Sequence, residues 1–169
     1  KEVLNRYYEG IGSAHCKKIE SVAMDGARTY ISSTMENAPQ ALIVYDKFHV
    51  IQKLNGAVEA TRRYELRKAR GDQRADLVEM MGFKQRFILL KNKTNLTERQ
   101  SDHLKRLCEI NEPIYKAMIL KESFQAIYFQ ATEIDARGCL EAWIEQAMTS
   151  GLQAFIILAE SFRDKMTFL

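Results

Sequence analysis

The chain has 169 residues, of which 46% are apolar and 28% charged, and its formal net charge is +3. This composition is typical of a globular protein long enough to bury a core. No apolar run reaches the roughly 18–20 residues that a membrane-spanning helix needs, and the first residues lack a signal-peptide pattern. The three cysteines are widely spaced and form no C-x-x-C pair, so they indicate neither a disulfide framework nor a zinc knuckle. We therefore expect a soluble, cytoplasmic protein without a membrane partner.

The positive charge of the chain is concentrated in its middle. Residues 46–93 carry twelve basic and six acidic side chains, whereas residues 94–169 carry eight basic and eleven acidic ones. Clustered positive charge favours a polyanionic partner such as nucleic acid, and the acidic remainder is typical of solvated helices. The sequence thus predicts a polyanion-facing segment followed by a helical one.

Two short strands are predicted near the start of the chain, and each ends in an aspartate. The first, about residues 19–24, stops at Asp25, which a glycine follows; the second, about residues 41–45, is a run of five apolar residues closed by Asp46. Residues 27–37 have the pattern of a short helix that ends before a proline. A strand, a helix and a second strand in this order form a βαβ unit, so the strands are predicted to be parallel.

The rest of the chain has mostly helical patterns. A long amphipathic helix is predicted from Phe48 to about Arg70, and Thr97–Gln100 has the sequence of a capping box that opens another helix. Residues 87–90 fit a strand or a helix. The remaining predicted helices cover residues 77–81, 114–132, 135–149 and 152–168. We predict an α/β fold, with a first domain of residues 1–70 and an all-helical region of residues 71–169.

The two strand-end aspartates are candidates for a metal site. In α/β sheets, functional groups collect beyond the carboxyl ends of the strands, and neighbouring parallel strands lie about 5 Å apart, so Asp25 and Asp46 could face one site. Hard cations such as Mg²⁺ bind through one or two carboxylates and substrate phosphate, as phosphoryl transfer requires. The alternatives stay open: Asp25 fits a simple turn, Asp46 fits a helix N-cap, and His49 fits a packing residue as well as a ligand.

One face of the predicted long helix is largely basic. The positions on this face are His49, Lys53, Ala60, Arg63, Arg67 and Arg70. Such a face is often only solvated, with Glu59 and Glu65 able to pair with nearby basic groups. A basic face that begins beside two acidic strand ends is also what a phosphodiester enzyme requires, since carboxylates hold the metal and cations hold the backbone phosphates. Together, these features favour nucleic acid over a small metabolite.

Several blocks along the chain match a known sequence pattern. The most specific is an Asp-x-Phe-His-Val block, residues 46–50. The other blocks are Val22-Ala23-Met24-Asp25, Tyr30-Ile31, Pro39-Gln40-Ala41, Ile43-Val44-Tyr45, Leu54-Asn55, Ala57-Val58, Arg62-Arg63, Leu89-Leu90-Lys91-Asn92, Asn95-Leu96-Thr97, Leu120-Lys121-Glu122, Trp143 and Ser150-Gly151. This set resembles the ISL-three family of bacterial insertion-sequence transposases, and it covers nearly the whole chain.

The resemblance implies a ribonuclease-H-like core, here partial, followed by a mostly α-helical insertion. It also implies an Asp-Asp-Glu triad that uses two Mg²⁺ or Mn²⁺ ions to cut transposon ends and join them to target DNA. By position, Asp25 is similar to the second triad aspartate, a catalytic metal ligand, while Asp46 and His49 match a D-x-x-H pair with a supporting role. The implied partners are DNA and further copies of the protein, at the nucleoid of a bacterial cell. The residues expected to contact DNA are Lys53, Arg62, Arg63, Arg67 and Arg70.

The resemblance leaves two members of the triad unassigned. The first aspartate would precede Lys1 and the glutamate would follow Leu169, and neither Glu160 nor Asp164 has the surroundings of the missing acid. We therefore expect a fragment that is inactive alone, from a parent that catalyses DNA cleavage and strand transfer. Two alternatives remain: a non-catalytic helical module that binds DNA or protein, and a metal-dependent nuclease on the same core.

Overall fold

The computed structural model describes residues 1–166, with side chains up to Asp164. These residues fall into two compact units, Lys1–Gln52 and Lys53–Asp164. The structure divides between residues 52 and 53, inside one continuous helix. The sequence pattern predicts a domain boundary further along the chain, at residue 70. The end of the last predicted helix, beyond residue 166, lies outside the described residues.

The first unit contains the predicted βαβ unit, preceded by two helices. Its elements are α1 (Glu2–Ile11), α2 (Ser13–Cys16), β1 (Ser21–Met24), α3 (Arg28–Asn37) and β2 (Leu42–Tyr45). β1 and β2 pair in parallel, with Ser21 opposite Leu42 and Met24 opposite Tyr45. Parallel neighbours need a crossover connection, and α3 provides it. The prediction of an α/β chain with a parallel strand pair is confirmed.

Only one face of this small sheet is well covered. Ile31 of α3 packs against Met24 and Ile43 in a buried cluster. On β2, the neighbours of Ile43 in sequence, Leu42 and Val44, keep 57% and 43% of their surfaces exposed. The apolar run of β2 is typical of a strand covered on both faces. The observed exposure differs from this expectation because side chains alternate between the two faces of a strand, and α3 covers only one of those faces.

The second unit is helical. Its elements are α4 (Lys47–Gly71, which begins in the first unit), α5 (Ala75–Met80), α6 (Arg86–Leu90), α7 (Glu98–Ile110), α8 (Glu112–Ile127), α9 (Glu133–Thr149) and α10 (Gln153–Met166), with 3₁₀ turns at Phe83–Gln85 and Lys93–Asn95. Residues 87–90, which fit either a strand or a helix, belong to α6. The helical character predicted for residues 71–166 is therefore confirmed for this part of the chain.

Side-chain caps fix the starts of α7 and α8. Thr97 Oγ1 accepts a hydrogen bond from the Gln100 N–H, and Gln100 Oε1 accepts one from the Thr97 N–H, each at 3.3 Å. This is the predicted capping box, which satisfies two backbone donors that a helix start leaves unpaired. Asn111 Oδ1 accepts from the Ile114 N–H at 2.9 Å, and its Nδ2 donates to Glu65 Oε2 at 2.9 Å. Asn111 therefore ties the start of α8 to α4.

An aromatic cluster joins α8, α9 and α10. Trp143 is 2% exposed, and its indole N–H donates to the Leu120 carbonyl oxygen at 2.7 Å. The Trp143 ring meets Phe124 edge-on at a centroid distance of 4.8 Å, and Phe162 stacks on Phe124 at 5.2 Å. Aromatic pairs in these geometries add about 0.5–1.5 kcal/mol to the stability that their buried area provides. The cluster therefore packs these three helices of the second unit against one another.

A buried lysine holds the end of α6. Lys121 of α8 is 1% exposed, and its Nζ donates to the carbonyl oxygens of Leu89 and Lys91, both at 2.7 Å. Carbonyls at the end of a helix lack partners within their own helix, so the lysine satisfies groups that would otherwise be unpaired. Burial lowers the pKa of Lys121 from 10.5 to about 8, because the charged form loses its hydration. The contact fixes α6 against α8.

Candidate active site and nucleic-acid surface

The two strand-end aspartates lie at the same edge of the sheet. Met24 and Tyr45 are paired in the parallel register, and Asp25 and Asp46 are the residues that follow them. The Asp46 N–H also donates to the Met24 carbonyl oxygen at 2.8 Å, which extends the ladder to the strand ends. The prediction that both carboxylates follow adjacent parallel strands is confirmed. In α/β sheets this edge is where ligands bind.

Asp25 is held by its own backbone and faces solvent. Its Oδ1 accepts a hydrogen bond from the Ala27 N–H at 2.9 Å, and the side chain is exposed. Gly26 between them has φ = +81°, a conformation that glycine adopts without a steric penalty. Within the described residues, the second carboxylate oxygen has no hydrogen-bond donor. Asp25 therefore presents an anionic oxygen at a fixed position.

Asp46 uses both of its carboxylate oxygens within α4. Oδ1 accepts from the Phe48 N–H at 2.8 Å, as an N-cap does, and Oδ2 lies 2.8 Å from His49 Nδ1. The Phe48 N–H and the His49 ring lower the pKa of Asp46, because both stabilise the carboxylate. With Nδ1 bonded to Asp46, the Nε2 atom of His49 is left for other contacts. The arrangement fits the supporting role that the D-x-x-H pair implies.

The donor set at this edge suits a hard cation only in part. Asp25 supplies an exposed carboxylate oxygen of the kind that Mg²⁺ and Mn²⁺ prefer. Asp46, with both oxygens engaged, is a helix cap in this structure. Across residues 1–164, no three His, Cys, Asp or Glu side chains are grouped so that they could hold a metal ion. Among the described residues, this edge of the sheet therefore offers one uncommitted carboxylate oxygen, that of Asp25.

Four of the five predicted DNA-contacting residues lie on the exposed side of α4. Lys53, Arg63, Arg67 and Arg70 are all exposed. Arg63 donates to Glu59 Oε1 at 2.9 Å, as the spacing of four residues allows, yet its side chain is 67% exposed. A surface pair of this kind contributes little to stability and does not prevent a phosphate contact. These four residues are named the basic face of α4.

Arg62 is placed differently from the sequence-based expectation. Its side chain is only 4% exposed, and it donates to both oxygens of Glu59 at 2.7–2.8 Å and to the Met81 carbonyl oxygen. A guanidinium in this position cannot reach a DNA phosphate, so Arg62 is excluded from the basic face. The helical period of the sequence already indicates that Arg62 is buried, because it lies about 100° around the helix from Arg63, on the side of the buried residues.

Replacing Glu59 with Gln is expected to destabilise the chain by about 1–3 kcal/mol at pH 7, because buried Arg62 loses its charged partner. Hydrogen bonds from Arg62, assisted by Arg63, lower the pKa of Glu59 from 4.5 to about 2. A lowered carboxylate pKa stabilises the folded state above pH 4.5, and this contribution disappears as the pH falls towards 2. Urea unfolding at pH 7 and pH 3 should therefore show a smaller difference between variant and wild type at pH 3.

Glu141→Gln is the matched control for this substitution, since Glu141 is exposed on α9. Its unfolding free energy should change by less than about 0.5 kcal/mol at either pH. A Glu59 variant that shows the same loss at both pH values would contradict the assigned ion pair.

Comparison with known sequences identifies the family. A family model described as "Transposase", for DDE transposases of the ISL-three type, matches residues 1–168. The chain belongs to the ISL-three family of transposases. The family match and the independent observation of an aspartate after each parallel strand agree with the pattern read from the sequence.

Two curated relatives illustrate the similarity of this transposase-family chain. The transposase for insertion sequence element IS1001 of Bordetella parapertussis is 28% identical over 164 residues, which are 96% of this chain and 40% of that protein. The transposase for insertion sequence element IS1557 of Mycobacterium tuberculosis is 26% identical over 181 residues, with 94% and 40% coverage. The chain thus spans about 40% of the length of these relatives. No solved structure matches the chain.

Within residues 1–166, no helix combines the length and the apolar character that a membrane-spanning segment needs.

Proposed function

We propose that this chain is part of a DDE transposase that catalyses metal-dependent DNA cleavage and strand transfer, and that Asp25 is one of its metal-binding carboxylates. The observation that carries the proposal is the position of Asp25. It is an exposed carboxylate at the carboxyl end of a parallel strand, and one of its oxygens has no hydrogen-bond donor among the described residues. The chain that carries it belongs to the transposase family. The βαβ unit would then belong to a ribonuclease-H-like core, and the helices after α4 to an insertion.

Each residue of the site has a separate role in this mechanism. Asp25 would hold a divalent cation, and its hydrogen bond to the Ala27 N–H keeps the carboxylate in one orientation. A bound Mg²⁺ or Mn²⁺ supplies activation of the attacking oxygen and neutralises the charge that develops on the phosphate. Asp46 orients the His49 ring through Nδ1, so that Nε2 can hydrogen-bond to a phosphate oxygen or a nearby water.

The direct test is cleavage of transposon-end duplexes by the full-length protein. We expect nicks at the element ends with Mg²⁺ or Mn²⁺ and none with EDTA, followed by joining of the 3′ ends to target DNA. Nicks without joining would favour the nuclease alternative. DNA binding without either reaction would leave the chain as a non-catalytic DNA-binding module and would overturn the proposal. Sedimentation with and without paired ends tests the expected assembly of several copies on DNA.

The basic face of α4 is proposed to hold the DNA backbone. Changing Arg63 and Arg67 together to Gln is expected to reduce the slope of log affinity against log salt concentration by about 1.8, because each phosphate contact on duplex DNA contributes about 0.9. The measurement is fluorescence anisotropy of a labelled duplex with the 169-residue chain at several salt concentrations.

Lys68→Gln serves as the control for the basic face. Lys68 is exposed on the same helix, but the helical period turns it about 100° around the helix from Arg67. Its substitution should leave the slope within experimental error. An unchanged slope in the double variant would show that the basic face is merely solvated.

A further inference from the structure

A groove on the second unit has the chemistry of a nucleic-acid site and lies outside the features used above. It is about 590 Å³ in volume and is bounded by α5, α6 and α7 and the turn before α6. The residues that matter for its chemistry are Lys84, Phe87, Lys91, Arg99, Gln100 and His103. The groove has room for one nucleotide and is open to solvent on one side. Its lining residues, which lie between positions 79 and 103, belong to one compact unit.

Two phenylalanines beside the groove are exposed, which leaves their apolar rings in unfavourable contact with water. Phe83 and Phe87 keep 68% and 50% of their surfaces in contact with solvent. The Arg86 guanidinium carbon lies over both rings, 4.5 Å from the centroid of Phe83 and 4.6 Å from that of Phe87. Cation–π contacts at these distances stabilise the rings in this arrangement. The three side chains form a stacked cluster, named here the Phe-Arg-Phe platform, in which the guanidinium covers one face of each exposed ring.

The electrostatics of the groove favour an anion. Lys84, Lys91 and Arg99 are three cations on its lining, against one carboxylate, Glu79. Lys91 Nζ is 3.2 Å from Gln100 Oε1, so a neutral partner leaves its charge uncompensated. Proteins that bind single-stranded nucleic acids combine cations with exposed aromatic rings in this way: the phosphates contact the cations and the bases stack on the rings.

The walls of the groove are held rigidly. His103 Nε2 donates to the Met80 carbonyl oxygen at 2.9 Å, which joins α7 to the end of α5. Lys121 holds the end of α6 through the Leu89 and Lys91 carbonyls. Both walls are therefore fixed before a ligand binds, so binding would cost little ordering of the protein.

From these observations we infer that the groove binds DNA with locally unpaired bases: a base stacks on the ring of Phe87, next to Arg86, and the adjoining phosphates contact Lys84, Lys91 and Arg99. The choice of DNA as the nucleic acid rests on the proposed function. The site itself is independent of the metal-binding role of Asp25, so an inactive Asp25 variant should still bind unpaired DNA here. Loss of cleavage, which tests the role of Asp25, is therefore distinguishable from loss of binding to unpaired DNA, which tests the groove.

The test compares a 20-nucleotide single strand with a fully paired duplex by fluorescence anisotropy, using the 169-residue chain. Phe87→Ala should weaken binding of the single strand about tenfold, since one stacked base is lost, and leave duplex affinity nearly unchanged. The salt slope should be the same in wild type and Phe87→Ala, because no phosphate contact is removed. Lys84→Gln should instead lower the slope for the single strand by about 0.7.

Phe129→Ala is the matched control, because Phe129 is 82% exposed and lies in the turn after α8, outside the groove. It should bind both DNAs like the wild type, and circular dichroism of each variant checks that the fold is intact. Unchanged binding of the single strand by Phe87→Ala overturns the inference. Equal losses for single strand and duplex also overturn it, since they indicate a general phosphate surface, and so does a groove that binds an apolar peptide but no unpaired DNA.

Discussion

Replacing Asp25 with asparagine is expected to slow Mg²⁺-dependent cleavage by the full-length transposase about a thousandfold or more, because metal ligation contributes several kcal/mol to the transition state. Asparagine has nearly the same shape and keeps an oxygen for the Ala27 N–H, which Asp25 bonds at 2.9 Å. The turn after β1 should therefore survive, and only the negative charge is removed. Single-turnover nicking of a labelled transposon end, resolved on a denaturing gel, measures the effect.

Binding and cleavage must be separated in this experiment. Duplex affinity of the Asp25 variant should stay within about twofold of the wild type, because the basic face of α4 is unchanged. Asp72→Asn is the matched control: Asp72 is exposed directly after α4, and its substitution should preserve cleavage. Wild-type cleavage by the Asp25 variant would remove this residue from the metal site, whereas loss of cleavage together with loss of unfolding cooperativity would indicate a folding defect.

Truncating Trp143 to alanine is expected to lower the free energy of unfolding by about 3–5 kcal/mol, since a large buried ring leaves a cavity that the helices fill only partly. The variant also loses the hydrogen bond to the Leu120 carbonyl oxygen and the edge-on contact with Phe124. Trp143 is the single tryptophan of the chain, so urea unfolding has to be followed by circular dichroism instead of fluorescence.

Two further variants separate the contributions at this position. Trp143→Phe retains a ring but no N–H donor, and we expect a smaller loss of about 1–2 kcal/mol. Ile134→Ala, at a position on α9 that is 84% exposed, should change the free energy by less than about 0.5 kcal/mol. A Trp143→Ala variant as stable as Ile134→Ala would contradict the aromatic core described for α8, α9 and α10.

Local patterns were sufficient to predict the elements that position the candidate site. The run of apolar residues before Asp46 and the glycine after Asp25 mark strand ends, and the intervening helix requires a parallel arrangement. The capping box at Thr97 and Gln100 is likewise a local signal, with both partners within four residues. Such features depend on backbone geometry and neighbouring side chains alone, so they can be read without knowing the tertiary contacts.

Features that depend on distant residues were not predictable in the same way. Arg62 was expected to contact DNA; the helical period places it towards the buried residues, but its hydrogen bond to the Met81 carbonyl oxygen, 19 positions away, could not be read from the local sequence. The exposed side of β2 depends on what packs against the sheet, and sequence alternation is absent from its uniformly apolar run. The Phe-Arg-Phe platform follows from a local spacing of three and four residues, yet exposed phenylalanines look like core residues until a structure shows their surroundings.

Because Lys121 is buried at the wall of the groove, the rate at which its amine is chemically labelled reports on local opening of that wall. With a pKa of about 8, a substantial fraction of this amine is neutral, and therefore nucleophilic, in mildly alkaline solution. Its protection from an acylating reagent then comes from burial, whereas Lys116 on the same helix is exposed and pairs with exposed Glu112 at the surface. The acylation rate of Lys121 relative to Lys116 thus measures how often α6 detaches from α8. Local opening of the groove can be followed by mass spectrometry at a single residue, without any bound DNA.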